Sequence, residues 1–263
     1  MVNMGNDSSM LSSVKNTLLI LKSFNVNNPT MRVSDLAKSL GLAKSTVSRI
    51  MKTLASEGFV VKDPKTKEYR LGLTILTLGG LVSNDFEFNQ ETIPVLNEVV
   101  EKTKETAHLA ILDGLDTIYI KKKECNHPVR ILTHIGRRNP AYCTSSGKVL
   151  LAFHNENLVE EIIDNGLYPF TKNTITNPDI LRSEIKKIKE QGYAVSTEEL
   201  TEGTRSVAAP IRDHTGKVIY AINVVGPIQR MHDYKIPSIA RILMQAANET
   251  SVRLGYNARL FKS

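Results

Sequence analysis

Leu36-Ala37-Lys38-Ser39-Leu40-Gly41-Leu42-Ala43-Lys44-Ser45-Thr46-Val47-Ser48-Arg49-Ile50-Met51-Lys52-Thr53-Leu54 holds two helical patterns divided by Gly41. With Gly41 as the turn glycine, Ala37 stands four residues earlier, where two helices must approach closely. Leu36, Leu40 and Leu42 then surround the turn. Val47, Ile50, Met51 and Leu54 fall at i, i+3, i+4 and i+7, the inward stripe of the second helix. The opposite face carries Ser45, Arg49 and Lys52, flanked by Thr46 and Ser48, with Lys44 at the helix start. Hydroxyls beside Arg and Lys are the donors that reach base edges and phosphates in a major groove. Any exposed helix face carries such residues, so the neighbouring segments decide.

Before the turn, Ser34–Leu40 reads as a helix with Ser34 as N-cap and Asp35 in its first turn. The second helix, from about Ala43 to Glu57, ends at Gly58, a natural C′ residue. Upstream, Met10–Phe24 places Leu11, Val14, Leu18 and Leu21 on an amphipathic stripe. Downstream, Phe59–Val61 and Glu68–Leu71 flank Asp63-Pro64-Lys65-Thr66-Lys67, a hairpin whose tip carries Lys65 and Lys67. Helix, helix–turn–helix and hairpin make a winged helix–turn–helix over residues 1–72. Charge agrees: residues 1–80 hold 11 Lys/Arg against 5 Asp/Glu, a net +6, and the remaining 23 against 22 leave +1. A basic module for a polyanion is thereby joined to a near-neutral module with another task.

Residues 73–90 form the connection. Leu73, Ile75, Leu76, Leu78, Leu81 and Val82 spread apolar groups around more than one helix face, which predicts burial against the winged module and against a second copy. The polar Ser83–Gln90 is the expected boundary. From 91 to 263 helices mix with strands: Thr92–Thr106 helical, with Leu96, Val99 and Val100 inward; His108–Leu112 and Thr117–Ile120 around Asp113-Gly114; a third strand at Val129–Ile135, closing at Gly136; helices at Thr144–Phe153, Leu158–Asn165 and Pro178–Gln191; strands at Tyr193–Thr197, Ser206–Arg212 and Lys217–Val225, the last two turning at Asp213–Gly216; and a closing helix, Ile236–Leu254. This order predicts an α+β domain on one central sheet. At 263 residues, 41% hydrophobic and 23% charged, the composition is globular. No apolar run of about 18 residues could span a membrane, and the N-terminus lacks the pattern of a secretory signal. Cys125 and Cys143 cannot build a disulfide framework. A cytoplasmic protein without membrane association is expected.

Several separated motifs, in order, make the chain resemble the IclR family of bacterial transcription regulators. They are Leu36-Ala37 through Arg49; Glu57-Gly58-Phe59; Ile135-Gly136-Arg137-Arg138; Cys143-Thr144-Ser145-Ser146-Gly147-Lys148-Val149-Leu150-Leu151-Ala152; Gly192-Tyr193-Ala194-Val195; Glu198-Glu199 through Gly203 into Val207–Ile211; and Gly216 through Gly226-Pro227. One departure is Ser145, where the family usually has Ala. The resemblance implies a GAF-like effector-binding second domain and a homodimer or homotetramer on palindromic double-stranded operator DNA. It also implies a repressor role and a pocket lined by the Gly136-Arg137 loop with Ser196, Ser206, Asn223 and Val225.

The residues support an anionic ligand, such as a small carboxylate. Gly136 ends a predicted strand and Thr144 opens a helix, so free N–H groups should converge, with Arg137 or Arg130 adding charge. Buried polar groups need partners that a ligand can supply. Equally, Ser196 and Ser206 could bond to each other or to backbone, with Asn223 satisfied internally. The competing enzyme reading is a GAF-type reductase using Cys143, with Cys125, because a thiol before a helix can be activated. No His or carboxylate stands at a catalytic spacing, so no enzyme and no catalytic residue is expected. The histidines, His108 among them, show no HxH or HExxH, so neither metal nor cofactor is expected. Glu160-Glu161 and Glu198-Glu199 are adjacent pairs, expected to be solvated. A nucleoid-type binder without ligand would need basic charge throughout, which residues 81–263 lack.

Overall fold

A computed structural model describes residues 11–25, 28–85, 89–128, 131 and 133–257. The chain divides into two compact units between residues 86 and 87. No helix among the described residues is long and apolar enough to cross a membrane.

The first unit runs α1 (Ser12–Ser23), β1 (Thr30–Met31), α2 (Val33–Leu40), α3 (Lys44–Ser56), β2 (Val60–Lys62), β3 (Tyr69–Leu71) and α4 (Leu73–Asp85). Gly41 closes α2 at φ +65°, a left-handed conformation in which glycine avoids a Cβ penalty, and Leu42 N–H donates to Ala37 O at 3.0 Å. α3 then departs with Val47, Met51 and Leu54 buried against Ile20, Leu36, Val60 and Tyr69, while Ile50 packs at the edge of that core. Each fully buried aliphatic side chain contributes about 1.5–3 kcal/mol, so this small core rests on very few residues.

Three expectations need correction here. Ser34 lies inside α2 and bonds to Asp35 Oδ1 rather than capping the helix, whose N-cap is Arg32 without a side-chain bond. On α1 the burying edge is Ile20 and Phe24 with Leu21 beside it; Leu11, Val14 and Leu18 are exposed, because only the last turn of the helix reaches the core. The sheet gains β1, a two-residue strand in the order β1-β3-β2, pinned where Thr30 Oγ1 donates to Glu68 Oε2.

The second unit contains α5 (Asn89–Thr103), β4 (Thr106–Asp113), β5 (Asp116–Lys123), β6 (Arg138–Pro140), α6 (Ser145–Ala152), α7 (Glu156–Asp164), α8 (Pro178–Gln191), β7 (Ala194–Thr197), β8 (Thr204–Arg212), β9 (Val218–Pro227) and α9 (Ile236–Arg253). The strands form one antiparallel sheet, β6-β5-β4-β9-β8-β7. Both faces of its centre are buried, since Val207, Ala209 and Ile211 alternate with Ala208 along β8. α6 and α8 cover one face through Val149, Leu150 and Ile188 on Ala194, Ala208 and Ala221; α9 lies along β8 and packs on α5. α6 seats so closely that a Cβ on Gly147 would come 2.0 Å from Ala141 O. Only glycine permits that approach.

The predicted strand Val129–Ile135 is not found. Residues 129, 130 and 132 lie outside the described residues, and Ile131, Thr133 and His134 are not extended in a ladder. Thr133 is committed elsewhere: its carbonyl accepts from Lys122 Nζ at 2.6 Å and its hydroxyl lies 2.6 Å from His108 Nε2. The edge strand is β6, which starts nine residues after the start of the expected strand.

Candidate functional site

In the first unit, Lys44, Ser45, Thr46, Arg49 and Lys52 are exposed along α3, and Ser48 is half-buried. The hairpin tip is built by Asp63, whose Oδ1 accepts from Thr66 N–H at 2.9 Å and Lys65 N–H at 2.7 Å. Those backbone donors hold its carboxyl below the ordinary range, Thr66 most strongly. Lys67 sits at φ +61°, and Lys65 and Lys67 both project into solvent. Among the described residues, Lys44, Arg49, Lys52, Lys65 and Lys67 make no ion pair with a carboxylate. Five uncommitted cations on one helix face and one hairpin tip are what phosphate binding requires.

In the second unit, register explains what gathers. Ser196 on β7 stands opposite Ser206 on β8, which stands opposite Val225 on β9, which stands opposite Thr106 on β4. The next row on the same face runs Ala194, Ala208, Asn223 and His108. Over the first row lies a cavity of about 50 Å³ lined by Arg137, Thr144, Ser196, Ser206 and Val225 from the expected set. Eight further residues line it: Tyr119, Ile131, Thr133, Asn139, Cys143, Leu200, Thr201 and Thr204. The β8 positions follow from strand alternation. The others come from connections whose course no periodicity reports.

Gly136 and Asn223 stand outside the lining, and Arg130 lies outside the described residues. The anticipated free N–H groups at Gly136-Arg137 are already used. Gly136, at φ +80°, donates to Tyr119 O at 2.7 Å, and Arg137 N–H donates to His134 O. At the start of α6, Thr144 Oγ1 caps Gly147 N–H at 3.0 Å. Ser196 takes the backbone option, donating to Cys143 O at 3.2 Å.

Behind the lining sits a buried polar group. His108 stacks on Tyr119 with centroids 4.2 Å apart, directly across from Asn223. Burial pushes the His108 imidazole down to about 3 and raises the Tyr119 phenol above its ordinary value, so both are neutral near pH 7. His108 Nδ1 and Asn223 Oδ1 are buried without a hydrogen-bond partner, as are Ser145 Oγ, Ser146 Oγ and Glu199 Oε2. Such orphans cost roughly 1–3 kcal/mol each, which makes this region the chemically unfinished part of the fold.

Size alone points elsewhere. A larger hollow, about 520 Å³, lies between α6, α7 and α8, but Arg182 on its wall already pairs with Glu160 at 2.6 Å and Asp179 at 2.8 Å. Burial first, then the Glu199 charge, push the Cys143 thiol up to about 12, the reverse of an activated thiolate. The expectation that Glu198-Glu199 is solvated fails. Glu199 is buried and bonded to Lys148 Nζ at 2.7 Å, whereas Glu160 and Glu161 are exposed as anticipated. Nothing in the spacing of Lys148 and Glu199, 51 residues apart, announces the pair.

A winged helix–turn–helix with free cations, followed by a separate α+β unit around a polar cavity, defines a DNA-binding regulator with a second, non-reading domain. Residues 13–64 match the IclR helix-turn-helix domain, and residues 82–252 match the bacterial transcriptional regulator IclR C-terminal domain. The chain belongs to the IclR family of bacterial transcriptional regulators. It is 34% identical over 250 residues to the HTH-type transcriptional regulator XynR of Escherichia coli, covering 95% of this chain and 99% of that one. It is 30% identical to the HTH-type transcriptional repressor AllR of Salmonella typhi, over 90% of this chain and 88% of the relative. A crystal structure of an IclR homolog from Microbacterium hydrocarbonoxydans, complexed with 4-hydroxybenzoate, superposes with a TM-score of 0.81 at 25% identity, over 92% of this chain and 99% of that one.

Proposed function

We propose that this protein is a cytoplasmic repressor whose hold on a palindromic operator is set by a small carboxylate bound in the C-terminal cavity. On this reading residues 1–72 read DNA, residues 73–90 connect and dimerise, and residues 91–263 sense the ligand. Lys44, Ser45, Thr46, Ser48, Arg49 and Lys52 enter the major groove, while Lys65 and Lys67 hold phosphates beside it. Arg137, Thr144, Ser196 and Ser206 meet the carboxylate. Asn223 and Arg130 contribute only if the walls move toward them.

The observation that carries this is the coexistence of uncommitted cations in one unit with a buried, under-bonded polar cavity in the other. The named ligand of the Microbacterium relative, an aromatic carboxylate, supports the ligand class, and the AllR relative's name supports repression. Dimerisation is supported by α4, where Leu73, Leu76 and Leu81 are 75%, 71% and 60% exposed in the single chain. So many leucines on one helix call for a cover, and a C2 partner supplies one. No catalytic step is assigned, because the cavity's thiol is held protonated.

A ligand shifts the operator equilibrium only through unequal affinity for the two arrangements of the dimer. Calorimetric titration of small carboxylates, beginning with 4-hydroxybenzoate, with and without operator tests this. A coupling of about 5- to 150-fold is expected, equal in both directions. Ligand affinity that ignores operator would overturn the switch.

A further inference from the structure

Lys148 is the largest of the fully buried side chains, at 1% exposure, and an ammonium so placed needs every donor used. It uses them on three separate pieces of chain. From α6, Nζ donates to Val195 O on β7 at 2.8 Å, to Glu199 Oε1 at 2.7 Å and to Glu184 Oε1 on α8 at 3.4 Å. Two of these contacts, and Lys148 itself, sit next to walls of the cavity. Val195 precedes Ser196, Glu199 precedes Leu200 and Thr201, and Lys148 N–H bonds to the carbonyl of Thr144, one turn back along α6.

The segment from Glu198 to Gly203 lies against the cavity and is fastened on several sides. Glu198, at φ +56°, donates its N–H to Thr204 O and accepts at Oε1 from Gly203 N–H at 2.7 Å. Thr174 Oγ1 donates to Glu199 O at 2.6 Å, and Leu200 packs beside Ala141 and Cys143. Those hydrogen bonds tie the segment to itself and to residues 171–174. The ion pair alone ties it by a hydrogen bond to α6, which carries Thr144. A buried ion pair is a poor choice for stability, since apolar residues of like volume usually do as well, and a good one for a fixed geometry.

We propose that Lys148 and Glu199 are positioning residues of the ligand cavity: their buried ion pair sets the Glu198–Gly203 segment over it, so that Leu200 and Thr201 close on a bound carboxylate. Neither side chain lines the cavity, and both act through the walls they join. The proposal rests on the cavity being the ligand site. Its test therefore has one arm that needs no ligand.

Lys148→Met alone leaves Glu199 buried without its cation and lowers stability, so the informative variant is Lys148→Met with Glu199→Gln, which removes both charges at near-constant volume. Hydrogen–deuterium exchange of the full-length protein is followed in residues 198–203 and, as control, in β4 and β9. Exchange at least about tenfold faster in 198–203 with unchanged control strands is expected, together with 4-hydroxybenzoate or benzoate binding weakened about tenfold or more and unliganded operator affinity kept. Should the double variant not fold, Glu199→Gln against Glu199→Ala replaces it. The amide, still an acceptor for Lys148, keeps protection near the wild-type level and the alanine loses it. Unchanged exchange in 198–203 overturns the positioning role whatever the ligand does. Wild-type protein that binds neither carboxylate, with the exchange effect present, counts against the ligand-site reading and leaves the strut in place.

Discussion

Replacing His108 by Phe tests whether the buried polar group behind the cavity is the neutral, desolvated one described above. The phenyl ring keeps the stack on Tyr119 and removes the titration. In the folded chain the imidazole titrates at about 3, burial being the main cause and Lys122 the next. In the unfolded chain it titrates near 6.5. The folded value is the lower one, so the unfolded state takes up a proton that the fold refuses. The contribution is complete above pH 6.5 and is lost as pH falls from 6.5 towards 3. With those two values the loss is about 1.4 kcal/mol at pH 5.5 and about 2.7 kcal/mol at pH 4.5, relative to pH 7.5. Native-state hydrogen exchange of β4 and β9 amides, converted to opening free energies at each pH, measures it. Wild type should steepen below pH 6.5 and His108→Phe should not, whatever the variant loses in absolute stability. Parallel curves for the two proteins would refute a neutral, desolvated His108.

Arg49→Ala is expected to weaken operator binding by about 1–3 kcal/mol and to relax preference at one base position, read by binding to a set of singly substituted operators; an unchanged profile means the reading face is elsewhere. Lys65→Ala or Lys67→Ala should weaken all sequences alike and lower the slope of log affinity against log salt by about one, and an unaltered slope removes the hairpin tip from the interface. Leu76→Asp should yield a monomer in sedimentation and reduce operator binding to its non-specific level, whereas a wild type already monomeric at micromolar concentration ends the pairing proposal for α4. Gly147→Ala gains about 1 kcal/mol of helix propensity but drives a Cβ to 2.0 Å from Ala141 O, so a net loss of about 1–3 kcal/mol and a lower melting temperature for the second unit are expected; equal or higher stability contradicts the close seating of α6.

The helix–turn–helix was legible because each of its requirements is local. Gly41 needs a positive φ, Ala37 needs to be small, and Val47, Met51 and Leu54 need one face, and each demand shows within a single turn of sequence. The same holds for α8, where Asn177 caps and Gly192 terminates a helix whose limits were read without error. The described part of the expected strand Val129–Ile135 was misread at Thr133, whose apolar surroundings compete with long-range polar bonds from His108 and Lys122 that no window around Thr133 contains. Ser34 failed as a cap because the helix begins one residue earlier, at Val33 with Arg32 in the cap position, which leaves Ser34 inside the first turn. In the cavity, Ser196, Ser206 and Val225 were implied by the family resemblance, and the register sets them in one row. Tyr119, Cys143 and Leu200 reach it from β5, from the turn before α6 and from the connection after β7. Glu199 was read as solvated because burial of a charge is visible only with its partner, and that partner lies 51 residues away.

The small volume of the cavity bears on how a switch could work. About 50 Å³ holds only a few waters, whereas pockets for drug-sized ligands begin near 300 Å³. On the proposed reading, a carboxylate on an aromatic ring therefore needs the walls to part, which makes the present arrangement the closed form of the switch. The closed form is also costly: His108 Nδ1 and Asn223 Oδ1 stay buried and unpartnered behind Tyr119 and Thr133. Parting those two residues would bring both orphan atoms within reach of water or ligand, recovering part of roughly 1–3 kcal/mol for each, and would break the 2.6 Å bond between His108 Nε2 and the Thr133 hydroxyl, which offsets part of that gain. On the proposed reading, opening is thus opposed by the Lys148–Glu199 strut and favoured by the orphaned polar atoms. A metabolite decides between the two forms only by the difference in its affinity for them, so the balance of these opposed terms sets how large that difference must be.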